Sequence, residues 1–119
     1  MKLVLAAVAA GALAVAAPAA AAPRLSPADR AAITRSIDTF VNHAVTRQNP
    51  AAAYGVVAPE MRPGISRAQW ARGGDLPVYP FPARGKTHPW NVLYVTKAEV
   101  GLELELIPRA GSKQGPIIF

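Results

Sequence analysis

The stretch from Ser26 to Arg47 constrains the fold more than any other part of this chain. Ile33, Ile37, Phe40, Val41, Ala44 and Val45 recur at helical spacing and share one face, while Thr34, Asp38 and Asn42 fall on the flank or the far side. Ser26 suits the N-cap, Pro27 the first helical position, and Asp29 the third, where its carboxylate completes a capping box. A rod with one oily stripe is stable in water only when something covers that stripe. The candidate cover is the C-terminal third, which alternates as strands do.

There, Trp90 to Thr96 reads as a strand with Trp90, Val92 and Tyr94 on one face and Leu93 and Val95 on the other. Val100 to Ile107 sets Val100, Leu102, Leu104 and Leu106 opposite Gly101, Glu103, Glu105 and Ile107. The pair predicts a hairpin turning near Lys97-Ala98, without the usual Asn-Gly signal. Ile117-Ile118-Phe119 reads either as a short last strand or as the opening of one that a longer reading frame would complete. Between helix and hairpin, Asn49 and Pro50 open a short helix, Ala51 to Val57, with Tyr54 and Val57 facing inward and Pro59 ending it. Ser66 and Gln69 form a second capping box ahead of Trp70, closed by Gly73-Gly74. Pro77, Pro80 and Pro82 cannot donate to a ladder, so that segment is an edge strand or a polyproline-like strip. The fold class is α+β: a long N-terminal helix and short helices on a curved antiparallel sheet.

Residues 1–22 read as a signal peptide, with Lys2 as the positive n-region, Leu3 to Ala17 apolar, and small residues offering cleavage between Ala19 and Ala21. The competing reading is an uncleaved anchor, since the run approaches the roughly 20 apolar residues a span requires. Alanine richness, Gly11 and Pro18 weigh against it. Residues 23–119 then form one small exported domain, secreted, periplasmic or in the cell envelope, with no membrane span once the leader is removed.

The formal net charge of the sequence is +6, and losing Lys2 lowers it by one. The remaining lysines and arginines are scattered singly, which argues for a basic surface and against a nucleic-acid groove. The sequence has no cysteine, so zinc–thiolate sites, thiol nucleophiles and disulfides are excluded.

Four segments carry a resemblance: residues 40–45 (Phe-Val-Asn-His-Ala-Val), 49–54 (Asn-Pro-Ala-Ala-Ala-Tyr), 65–73 (Ile-Ser-Arg-Ala-Gln-Trp-Ala-Arg-Gly) and 77–80 (Pro-Val-Tyr-Pro). Through them the chain resembles the NTF2-like (SnoaL-like, cystatin-like) superfamily, in particular its small exported bacterial members. The likeness covers Pro27 to about Pro108. It implies a cone in which the long helix packs into a curved sheet. Domains of that kind usually carry one or two strands beyond the point where this sequence stops.

Enzymes of that superfamily often work with a His–Asp pair inside the cone, which implies His43 with Asp38 or Asp75. On one helix, however, Asp38 and His43 point to different faces. His88, between Thr87 and Pro89, reads as a solvated loop residue, and two histidines without nearby carboxylates do not make a metal site. Glu103 and Glu105 share a strand face; on the concave side they could serve as acid and base, on the convex side they are solvated. Phe40, Tyr54, Trp70, Tyr79, Trp90 and Tyr94 are the candidate ligand-binding rings, with Phe81 beside them, and each is also a candidate core residue.

The expected function is therefore an exported, non-catalytic domain without cofactor or metal that binds a small apolar ligand or an envelope partner. The alternatives are a dehydratase- or isomerase-type enzyme using His43 and an acid, or a module that dimerises through its last strand.

Overall fold

The computed structural model describes residues 23–74 and 76–119, so the leader and anchor readings and the candidate acid Asp75 lie outside the described residues. The first element, α1, is Pro27–Thr39. Its capping box is formed as expected: the Asp29 amide donates to Ser26 Oγ at 3.0 Å, and the Ser26 amide to Asp29 Oδ2 at 3.2 Å. None of its residues is fully buried.

The rod continues as a π-helical segment, Phe40–Val45, with the Thr46 amide reaching back five residues to the Val41 carbonyl. Here lie the buried residues of the rod: Val41, Ala44 and Val45. Arg47 then takes a left-handed backbone, φ 62°, at a position where helices usually place glycine. Its guanidinium donates to the Ala44 carbonyl at 2.6 Å and to the Val78 carbonyl, which offsets a backbone cost of order 1 kcal/mol.

Helix α2 is Pro50–Ala53, running into a 3-10 turn at Tyr54–Val56. It is shorter than the expected Ala51 to Val57, and the Asn49 side chain makes no cap bond. Helix α3, Arg67–Ala71, has its capping box: the Gln69 amide donates to Ser66 Oγ and the Ser66 amide to Gln69 Oε1. Gly73, φ 73°, turns the chain after it.

Three antiparallel strands follow: β1 Trp90–Val95, β2 Val100–Leu106 and β3 Ile117–Ile118, in the order β1-β2-β3. Thr96 makes the hairpin turn, its Oγ1 accepting from the amides of Ala98 and Glu99. Ile117–Ile118 pairs with β2, as either reading of that segment allows, and Phe119 exchanges both backbone hydrogen bonds with Leu104.

One expectation about β1 is corrected. The register runs Val92 opposite Leu102 and then Tyr94 opposite Gly101, leaving Leu93 as the extra residue of a bulge. A bulge reverses the side-chain alternation beyond it. Tyr94 therefore shares the Gly101 and Glu103 face, and Val95 joins the leucine face. The Tyr94 ring lies on Gly101, where a Cβ would fall 1.9 Å from ring carbon Cε1.

The proline strip is not a ladder strand. The Phe81 amide donates to the Val45 carbonyl at 3.0 Å, and a bridge between Ala83 and Pro108 ties the strip to the chain after β2.

Two buried clusters result. Val41, Val45, Phe81, Ala83, Leu104 and Leu106 join rod to sheet, with Ile37, Phe40, Trp90 and Leu102 packed against them. Ala44, Ala53, Val57 and Trp70 join the other side of the rod to the short helices, and Phe40 touches this cluster too. Burying a side chain such as Leu106 or Val41 contributes about 1.5–3 kcal/mol, against about 1 kcal/mol for a helix cap. Packing therefore decides where the rod lies. Among the described residues, no helix is long and apolar enough to cross a membrane.

Candidate functional site

Asp38 and Asn42 stand one helical turn apart on the flank of the rod, and both hold the loop that carries His88. The His88 amide donates to Asp38 Oδ1 at 3.1 Å, and His88 Nε2 lies 2.7 Å from Asn42 Oδ1. The Asn42 Nδ2 group donates to the Lys86 carbonyl at 2.7 Å. A carbonyl can only accept, so Asn42 turns its oxygen to the imidazole and Nε2 carries a proton.

The loop histidine read as solvated is thus buried, 5% exposed, because two polar side chains from the rod satisfy it. Burial pushes its pKa below the ordinary value, and the Asp38 carboxylate partly opposes that shift. No local feature of the loop signals this, since the partners lie 46 and 50 residues earlier.

Asp38 is therefore engaged with His88, while His43 faces a separate hollow of about 420 Å³ together with Lys86 and Arg109. No hydrogen bond joins His43 to Asp38, and the other implied partner, Asp75, lies outside the described residues. Glu103 is half-buried and Glu105 exposed, both on the face away from the buried leucines.

The six candidate rings are distributed rather than gathered. Tyr54 and Trp70 meet edge to face, with centroids 6.1 Å apart. Trp70 is fully buried, its indole N–H donating to the Pro50 carbonyl at 2.8 Å. The Tyr54 hydroxyl donates to the Ile65 carbonyl and accepts from Arg62. Phe40 lies between the two clusters. Trp90 fastens the first half of the rod, donating to Thr34 Oγ1 at 3.1 Å beneath the guanidinium of Arg30. Tyr94 covers Gly101 on the outer face.

Tyr79 stands apart, at 90% exposure. It rims an apolar groove of about 460 Å³ with Pro80, Phe81, Pro116, Ile117 and Phe119. Phe81 and Phe119, neither among the six, belong to this groove. Phe81 is buried and anchored by its bond to Val45, whereas Ile118 and Phe119 are exposed. A third hollow, about 540 Å³, opens between the start of the rod and the hairpin tip, beside Asp29, Ile33, Lys97 and Glu99.

Compared with family models, with curated proteins and with solved structures, the chain matches none of them.

Proposed function

We propose that this chain is an exported, non-catalytic binding domain of the NTF2-like kind, and that it takes a small apolar ligand in the groove between the proline strip and β3. The observation that carries the reading is the Tyr79 ring, held out at 90% exposure beside Phe119 over a wall that includes Phe81. Exposed rings gathered at one edge mark binding surfaces, and about 460 Å³ lies within the size range of small-molecule sites. Pro80 and Pro116 stiffen both walls, so little entropy is lost when a ligand orders them. The helix-on-sheet layout and the two capping boxes support the NTF2-like reading, and the leader sequence supports export. The enzyme alternative is less favoured, because the Asp38 carboxylate is engaged with the His88 amide and His43 opens onto Lys86 and Arg109.

Titration with the neutral fluorophore N-phenyl-1-naphthylamine tests the groove. Saturable, blue-shifted emission that weakens several-fold in Tyr79→Ser and Phe119→Ser is expected. Binding unchanged by both substitutions, or none at all, refutes the reading. Light scattering that shows a dimer would give the groove to a second copy through the open edge of β3 instead.

A further inference from the structure

We propose that the hollow at the end of the π segment binds an oxyanion, the carboxylate or phosphate of a small molecule. Lys86 and Arg109 lie far apart in the sequence, and each reads there as an isolated surface charge. The fold brings them to one concavity. The bridge of Ala83 with Pro108, the Arg84 amide on the Ile107 carbonyl at 2.7 Å, and the Arg109 amide on the Pro82 carbonyl at 2.8 Å join the two loops. Gly85, φ 75°, makes the turn that presents Lys86, and Asn42 Nδ2 holds the Lys86 carbonyl from the rod. His43 and Gln48 enter from the rod's end.

The distribution of hydrogen bonds around this hollow matters as much as the charge. Asn42 is committed to Lys86 and His88, and the Thr46 hydroxyl donates to the Asn42 carbonyl at 2.6 Å. Among the described residues, no hydrogen bond or ion pair occupies the Lys86 ammonium, the Arg109 guanidinium, the Gln48 amide or the His43 ring, and no carboxylate lines the hollow. Two cations that line one hollow without an acid leave a bound anion as their available counter-charge, and an oxyanion accepts the N–H groups of both. A guanidinium can grip either oxyanion in bidentate fashion, with the ammonium as a point charge beside it.

The site is separate from the apolar groove, so loss of either leaves the other intact. The test is an amide-resolved NMR titration of the full chain with sodium phosphate and, separately, sodium succinate, both at constant ionic strength. We expect saturable shifts at Lys86, Arg109 and His43, an affinity about tenfold weaker in Arg109→Gln, and no change in Arg35→Gln on the exposed side of α1. Lys86→Gln should weaken the same probe, which guards against a local defect at Arg109. Whichever probe saturates identifies the oxyanion. Shifts that grow without saturating for both probes, or equal weakening by Arg109→Gln and Arg35→Gln, would mean general screening of surface cations and would overturn the assignment.

Discussion

The two buried clusters meet at Phe40 and are built on different principles. On the sheet side, burial is spread over many medium-sized residues, because β2 presents a leucine at every second position. On the other side no helix among the described residues exceeds 5 residues, so periodicity has little to act on. One large ring, Trp70, fills that space, with Ala44 and Ala53 making room and a hydrogen bond to Pro50 fixing its orientation. Long elements share burial, whereas short ones depend on a single anchor.

That contrast can be broken experimentally. Trp70→Ala should have the largest effect, about 3–5 kcal/mol, since both the packing and the indole bond are lost. Leu106→Ala, fully buried in the shared cluster, should cost less, about 2–4 kcal/mol, because its neighbours can partly close the gap. Urea unfolding of both variants measures the order, and a larger loss for Leu106→Ala would contradict the single-anchor account.

Gly101→Ala comes next, at about 1–3 kcal/mol, because the new Cβ must displace the Tyr94 ring. That loss should be confined to the sheet side. It can be read by amide-resolved NMR of the Gly101→Ala variant, with shifts expected in β1 and β2 and none around Trp70.

The smallest effect is on pH dependence. With its folded pKa below the unfolded value of about 6.5, His88 takes up a proton more readily in the unfolded chain. Its contribution is complete above the unfolded value and is lost as pH falls through the folded one. The urea midpoint should therefore drop on acidification below about pH 6.5, and less so in His88→Gln. Acid should also disturb Trp90 before Trp70, because the His88 loop leads directly into β1; simultaneous loss would show that the two clusters unfold as one.

Much of the local structure was legible. Both capping boxes and the hairpin follow from residues within a few positions of one another, and Ser26, Ser66 and the β2 leucines carry their own signal. The bulge at Leu93 was not legible, because a residue inserted in one strand is defined only by its partner's register. The burial of His88 was equally hidden, since its loop holds neither of the side chains that satisfy it. Among the candidate rings, residue type alone could not separate Trp70, which is fully buried, from Tyr79, which is exposed.

By itself the sequence determined the local elements: where the rod begins, where both capping boxes close, and which positions of β2 alternate. Those are contests between neighbouring groups for hydrogen bonds and water, settled within a turn or a strand. The tertiary structure decided which of those faces meet, which histidine is dry, and that Lys86 and Arg109 share one hollow. These outcomes depend on groups dozens of residues apart, and only packing of the whole chain sets the distances between them.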